Sequence, residues 1–381
     1  MAINKCRVCN HKFFEEPLLR YENMPGAAQY LPDAESIEND KGVNLEVCQC
    51  SGCGLVQLSN DPVPYYREVI RAAAISEEMT DFRRKQFESF VQKYSPKGGK
   101  IIEIGCGRGE YLSIIQKSNV EAYGLEYSKE SVADCLKNGL KVSKGFIQGS
   151  ADRLSDAPFD AFFILNFLEH LPDPNSTLRG IYNNLTDGAV GLVEVPNFDM
   201  ILRKKLFSEF IGDHLFYFTK DTLSTTLKLN GFEIIECNEV WHDYIISAVV
   251  KKRRKIDISH FCKHQVQLKN EIEEYIRRFK DKKVAIWGAG HQALAIISLI
   301  NLAGKIKYVV DSAAFKQGKY TAATHIPIVS PDSLDSDPVD AIIVMAASYS
   351  DEVARMIRQK YDKNINIVIL RDFGLQEVRI K

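Results

Sequence analysis

The chain has 381 residues, of which 45% are hydrophobic and 26% charged, enough for two or three domains at roughly 150 residues each and far from a disordered composition. Lysine plus arginine number 49 against 50 acidic residues, a formal net charge of −1, which argues against a protein built to grip nucleic acid or an acidic membrane face. The opening Met1-Ala2-Ile3-Asn4-Lys5-Cys6 lacks the apolar core of a signal peptide, and the longest apolar stretches, near 161–168 and 293–302, fall short of the ~20 residues that span a bilayer. A cytoplasmic chain with no membrane span and no nucleic-acid partner is expected.

The first block, residues 1–75, is rich in turn signals: Met24-Pro25-Gly26, Leu31-Pro32-Asp33, Asp61-Pro62. It also holds Cys6, Cys9, Cys48, Cys50 and Cys53 out of nine cysteines in all. Cys6-x-x-Cys9 and Cys50-x-x-Cys53 are knuckles of the kind that give four thiolates to a tetrahedral zinc ion, with a long loop between them. Four thiolates leave no open position, so such a zinc folds the block and catalyses nothing. Cys48 sits two residues before Cys50, where strand alternation keeps it off the knuckle. A redox role for either pair is the alternative, but neither stands at a strand-to-helix junction. The later Cys135, Cys237 and Cys262 read as small buried hydrophobes.

The second block, residues 76–255, opens with a helical stretch over 77–94 that ends at Ser95-Pro96-Lys97-Gly98-Gly99. Short β-like runs then alternate with helical spacing: strands at 100–104, 121–125, 161–165, 189–195, 232–236 and 244–250. Such alternation predicts a parallel α/β sheet covered on both faces. The first strand runs into Glu103-Ile104-Gly105-Cys106-Gly107-Arg108-Gly109-Glu110, where glycines let the backbone approach a ligand closely. The spacing is GxGxG rather than the GxGxxG of a dinucleotide site. An acid at the strand end, Glu103, repels a pyrophosphate but suits the amino group of S-adenosylmethionine (SAM). Glu126 ends the second strand, placed to take two ribose hydroxyls. Ser150-Ala151-Asp152 follows the third strand at the place of an adenine contact, and Leu165-Asn166-Phe167-Leu168-Glu169-His170 closes the fourth. This ordered series resembles the class I SAM-dependent methyltransferases from about Gly98 to Val250. Cofactor contacts are therefore expected at Glu103, Gly105, Gly107, Gly109, Glu126, Ala151, Asp152 and Asn166.

Lys251-Lys252-Arg253-Arg254-Lys255 reads as a solvated linker into a polar helix reaching about residue 283. The third block, 256–381, restarts the α/β texture with strands at 283–286, 306–310, 341–345 and 365–370. Its Gly288-Ala289-Gly290-His291-Gln292-Ala293 fits GxGxxA, and Asp311 closes the next strand about 20 residues on, as at a dinucleotide site. NAD, a sugar-nucleotide pyrophosphate held on the same amides, and a purely structural turn are the three readings of that turn.

Several longer strings extend the resemblance over nearly the whole chain. Cys50-x-x-Cys53-Gly54-Leu55-Val56-Gln57-Leu58 is similar to a CxxCxLVQL ending. Val193-Glu194-Val195-Pro196 and Asp213-His214-Leu215-Phe216-Tyr217-Phe218-Thr219 resemble EVP and EHxxYFS segments. Val309-Val310-Asp311, Lys316-Gln317-Gly318-Lys319-Tyr320 and Thr324-His325-Ile326-Pro327-Ile328 resemble VVD…KQGRYxPGxHIPI. Together they resemble the C-methyltransferases that act on nucleotide-linked keto-sugars in deoxysugar pathways. The resemblance implies an α/β protein of three parts: a small N-terminal zinc-binding domain, a class I SAM methyltransferase Rossmann-like domain, and a second Rossmann-like C-terminal domain that helps bind the nucleotide-sugar. It carries the general base over to His214, the preceding acid to Asp213 and the strand-end histidine to His170. The chemistry suits these residue types. A carbon beside a carbonyl must lose a proton before it accepts a methyl group, a near-neutral histidine abstracts it, and donors steady the enolate. Two departures stand out. Ile211 occupies the place of the family's tyrosine, with Tyr65, Tyr66 or Tyr217 as candidate substitutes, and Tyr65-Tyr66-Arg67-Glu68-Val69-Ile70-Arg71-Ala72-Ala73-Ala74 replaces a serine-rich element. O- or N-methylation of a related acceptor is the alternative function, and a zinc-bearing nucleic-acid modifier the more remote one.

Overall fold

The computed structural model describes residues 3–29, 31–68, 75–94, 98–279, 281, 283–361 and 364–378, and the chain divides into two compact units, Met1–Lys255 and Ile256–Lys381. In the first unit, β1 (Leu19–Met24), β2 (Val43–Gln49) and β3 (Val56–Leu58) form an antiparallel meander. The helix Glu77–Tyr94 follows. Then come β4 (Lys100–Ile104), β5 (Glu121–Glu126), β6 (Lys141–Lys144), β7 (Phe159–Leu165) and β8 (Leu185–Pro196). The two-residue β9 (Phe216–Tyr217) precedes β10 (Phe232–Val240) and β11 (Ile245–Lys252).

Seven of these strands make one sheet in the order β10-β11-β8-β7-β4-β5-β6. It is parallel from β6 to β8, while β11 runs antiparallel to both its neighbours. A parallel body with an antiparallel edge hairpin fits the class I methyltransferase fold expected from the sequence. The all-parallel sheet expected from the alternation fails at β11 for a simple reason. Only residues 241–244 separate it from β10, with Trp241, His242 and Asp243 all at positive φ, and so short a connection joins only antiparallel strands.

Alternation along β7 shows how the layers form. Ala161, Phe163 and Leu165 pack with Phe87 and Phe90 of the helix Glu77–Tyr94, whereas Phe162 and Ile164 join Ile102, Ile104 and Phe232 on the other face. Both faces are dry, so the strand is apolar throughout. The chain leaves β4 for β5 on one side and, later, for β7 on the other, which opens a crevice above the carboxyl ends of these strands. β3 of the cysteine block pairs with β9, so residues 1–75 fold into the same unit as the large sheet.

The second unit has β12 (Val284–Trp287), β13 (Val309–Val310), β14 (Ile328–Val329), β15 (Ala341–Val344), β16 (Asn366–Arg371) and β17 (Gly374–Glu377), in the order β14-β13-β12-β15-β16-β17. All pairs are parallel except the terminal hairpin of β16 with β17. The cysteines outside the N-terminal block divide: Cys135 is buried as expected, Cys237 is half-buried, and Cys262 is exposed on the polar helix Ser259–Arg277.

A charge pair lies in the core of the first unit. Arg83 and Glu194 are ion-paired with both side chains 0% exposed. Gln86 donates to Glu194 Oε1 at 2.5 Å and accepts from Arg83 Nη1 at 2.7 Å, and the guanidinium lies over the Tyr111 ring at 4.6 Å. Removing one buried partner leaves the other charge uncompensated. Glu194→Gln is therefore expected to cost about 3–5 kcal/mol of stability, read as a lowered urea midpoint at unchanged m-value; an unshifted midpoint would contradict this.

Candidate active site

The crevice is built from strand ends. β4 passes into Gly105 at φ 71 and Gly107 at φ 56, and Gly109 at φ 83 caps the helix Glu110–Ile115. Gly105 is required twice over, since a Cβ there would also stand 2.8 Å from the Phe167 ring. Glu103 is buried at the end of β4. Glu126 ends β5, and its carboxylate accepts from the Gly107 N–H at 2.9 Å and the Ser128 N–H at 2.8 Å. Burial raises its pKa above the ordinary carboxylate value, and these backbone donors work against that rise. Asp152 Oδ2 accepts from the Gln148 and Gly149 N–H groups at 2.6 and 3.0 Å, so it shapes the loop that carries exposed Ala151. Asn166, at φ 54, follows β7 and gives its N–H to the Glu194 carbonyl at 2.9 Å.

One feature of this crevice escapes sequence reading. The Arg67 guanidinium lies over the rings of Tyr66, Phe146 and Tyr127 at 5.0, 5.2 and 5.6 Å. Arg67, Tyr127 and Phe146 line a small cavity with Gly105, Leu125, Gly145 and Phe167. The signal was spread over three segments, so no local pattern revealed it. Residues 69–74 of the stretch replacing the serine-rich element lie outside the described residues.

Beside the glycine turn the structure brings His170 and His214 together. Their ring centroids are 4.8 Å apart and nearly perpendicular, at 74°. His170 Nδ1 stands 2.8 Å from the Asp213 carbonyl oxygen; a carbonyl only accepts, so Nδ1 carries the hydrogen. Burial pushes His170 down to about 3 and His214 down to about 4, so both rings are neutral near pH 7. Asp213 is oriented differently from the expectation. Its carboxylate accepts from the Tyr65 hydroxyl at 3.0 and 3.1 Å, and only its backbone meets a histidine among the described hydrogen bonds. Tyr65 in turn accepts from the Ala28 N–H at 3.0 Å. Tyr217 is buried against Phe210, and its hydroxyl accepts from the Ile211 N–H at 3.0 Å and donates to the Ile211 carbonyl at 3.3 Å. Of the candidate phenols, Tyr65 therefore reaches Asp213 of the histidine loop, while Tyr217 braces that loop from behind.

The four predicted cysteines converge. One ligand atom from each of Cys6, Cys9, Cys50 and Cys53 lies within 4.8 Å of all the others, with Cys6 and Cys53 sulfurs 3.7 Å apart and Cys9 and Cys50 sulfurs 3.3 Å apart. Backbone N–H groups of Val8, Gly52 and Cys53 point at these sulfurs from 3.3–3.4 Å, and Gln57 Nε2 donates to Cys6 at 3.2 Å. Convergent sulfurs wrapped in donors fit a tetrahedral thiolate site. Cys48 is outside this group, in β2 opposite Gln57. The same Gln57 lies in β3, whose Leu58 N–H binds the Leu215 carbonyl at 2.9 Å, one residue past His214. In the second unit, Asp311 accepts from Ala289 and Ala313 N–H groups at 2.8 and 2.9 Å and from Lys316 Nζ at 2.9 Å. The acid that a dinucleotide ribose would need is thus engaged by the chain's own donors.

The methyltransferase-domain family matches residues 77–237, and the C-methyltransferase C-terminal domain family matches residues 253–370. The chain is 22% identical over 388 aligned positions to the C-methyltransferase NovU of Streptomyces niveus, covering 92% of this chain and 91% of that protein. It is 31% identical over 97 residues to the ubiquinone biosynthesis O-methyltransferase of Methylococcus capsulatus, a match to 23% of this chain and 40% of that enzyme. A crystal structure of an S-adenosylmethionine-dependent methyltransferase from Clostridium acetobutylicum aligns with 50% of this chain and 96% of its own at 13% identity, with a TM-score of 0.39. With both domain families in order along one chain and a relative alike over nearly its full length, the protein is an S-adenosylmethionine-dependent methyltransferase whose C-terminal part matches the C-methyltransferase C-terminal domain family.

Proposed function

We propose that this enzyme methylates a carbon next to a ketone in a nucleotide-linked sugar. The observation that carries this reading is the half-buried His214, neutral at physiological pH and packed edge-on against a second neutral histidine. A base that must take a proton from carbon needs a free lone pair in a site shielded from water, and His214 meets that need. His170 and the Asp213 backbone hold the ring environment in place, and the Tyr65 hydroxyl, whose one hydrogen goes to the Asp213 carboxylate, ties the residue before His214 to the cysteine block. Support for the sugar comes from the C-terminal domain and the strings that resemble sugar C-methyltransferases. If the acceptor is an α-keto carbon, its proton exchanges with heavy water in the wild type, and His214→Ala slows turnover by a factor of ~10²–10⁴. A methyl ether product with no deuterium on ring carbon would replace this reading with O-methylation, the reaction named in the ubiquinone relatives that match part of the chain.

SAM is the methyl donor, and when bound it supplies an electrophilic sulfonium methyl that needs placement rather than activation. The glycine turn Gly105–Gly109 and Glu103 would hold its methionine end, Asn166 and the Ala151–Asp152 loop would line its adenosine, and Glu126 would take the ribose hydroxyls. Glu126 already binds two backbone donors, but each carboxylate oxygen retains acceptor capacity. Glu126→Ala is expected to weaken SAM by ~1.5–3 kcal/mol in calorimetry; unchanged affinity would move the ribose elsewhere.

The cysteine cluster is read as a structural zinc site held by Cys6, Cys9, Cys50 and Cys53. Metal analysis of protein purified without chelator should find one zinc per chain, lost in Cys50→Ser and retained in Cys48→Ser. A folded wild-type protein free of zinc would refute it.

A further inference from the structure

One buried carboxyl beside the histidine pair is not used by the chemistry above. Glu169 belongs to the turn Leu168–His170 after β7, and its side chain is 1% exposed. Its Oε1 stands 3.8 Å from His170 Nε2, and one nitrogen or oxygen from each of Glu169, His170 and His214 lies within 4.8 Å of the other two. Its Oε2 has no hydrogen-bond partner among the described residues. The Glu169 carbonyl accepts from the Leu215 N–H at 2.8 Å, which pins the carboxyl's own turn to the loop of His214.

The orientation of His170 gives this cluster its meaning. With Nδ1–H committed to the Asp213 carbonyl, Nε2 turns a lone pair toward Glu169. A buried carboxyl facing one imidazole lone pair, with a second imidazole beside it, is a place where protons are shared. Asp213, the acid adjacent to His214 in sequence, is taken by Tyr65 instead.

We propose that Glu169, not Asp213, is the carboxyl that balances the charge on His214 when that ring takes a proton, acting as a positioning residue through the His170–His214 pair. The inference rests on the reading of His214 as the base. In the step, the acceptor C–H bond breaks, its proton goes to the free ring nitrogen of His214, and the electron pair stays on the substrate as an enolate. Glu169 acts in its ionised form and neither gains nor loses a proton in the step, and nothing is oxidised or reduced. Burial pushes the Glu169 carboxyl up to about 8, so near neutral pH it holds the cluster's resting proton, and the form with a carboxylate behind His214 grows as pH rises through that value. The other titratable groups beside this carboxyl are His170, His214 and the Tyr244 phenol, whose ionisation Glu169 opposes; Asp213 meets His170 through its backbone carbonyl and Tyr65 through its carboxylate.

The test needs no substrate. Full-length enzyme labelled with ¹³C-histidine is titrated by NMR, with the His214 signal assigned from its loss in His214→Ala. The wild-type His214 signal should shift in a step near pH 8, and that step should vanish in Glu169→Gln, which keeps the volume and hydrogen-bonding capacity of the side chain. A step that persists in Glu169→Gln, or is missing from the wild type, would overturn the proposal. If Glu169→Gln does not fold, Glu169→Asp serves: the step should remain at a displaced midpoint, and an unmoved midpoint counts against the proposal. A divalent ion beyond the cysteine site, retained by the wild type and lost in Glu169→Gln, would also overturn it, because His214 would then be a ligand rather than a base. The signal comes from resting enzyme, so it is independent of which atom is methylated. Failure of the C-methylation reading would instead appear as absent carbon exchange with the histidine step intact.

Discussion

Arg83 and Glu194 bring opposite charges into the driest layer of the first unit, and much of the crevice is arranged around them. Burying such a pair gains little net stability, because desolvation offsets attraction. What it supplies is position. The carboxylate comes from β8, the guanidinium from the helix Glu77–Tyr94, and Tyr111 beneath it from the helix opened by Gly109. The Glu194 backbone also receives the Asn166 N–H at the end of β7. A helix, two strand ends and the glycine turn are thereby registered against one another. Sliding any of them would strand a charge in hydrocarbon.

The reactive side of the crevice follows the opposite logic, with titratable groups held neutral by burial. His170 and His214 share surroundings that disfavour their charged forms, and the carboxyl beside them, Glu169, is also buried. Polar connections there run through backbone instead: the Asp213 carbonyl to His170, the Glu169 carbonyl to Leu215. Main-chain contacts fix ring orientation without adding a charge, which leaves proton affinity to be set by the surroundings.

How much of this could be read beforehand depended on distance along the chain. The helix over 77–94, the strand–glycine–helix turn at 100–115 and the strand ending at Glu126 are local patterns, and they stand where periodicity and glycine spacing put them. The cysteine knuckles were equally legible, since each pair is contiguous and only their meeting is long-range. Orientation was not legible. Asp213 beside His214 reads as a dyad in sequence, but its carboxylate faces Tyr65, a residue 148 positions away. Tyr217 reads as a reactive phenol and is instead occupied by Ile211 in a strand of the neighbouring sheet. Glu169 carried a weak local signal, an acid beside a histidine in an otherwise apolar strand end, which gains significance only when the loop of His214 folds against it. The reversed β11 was legible in principle from the short 241–244 link.

The pairing of β3 with β9 has a consequence for how the protein is divided. Val56 and Gln57 lie opposite Tyr217 and Phe216, so the short strand just beyond His214 completes the sheet of the cysteine block rather than the large sheet that follows it in sequence. Similarity to methyltransferase domains begins at residue 77, yet a chain cut there would leave β9 with an unmatched edge and uncover Phe216 and Tyr217, both buried in the intact unit. The boundary that inheritance draws and the boundary that folding requires are different lines in this molecule. Shuffling the catalytic segment onto another N-terminal module would have to recreate a matching strand before it could inherit an active site.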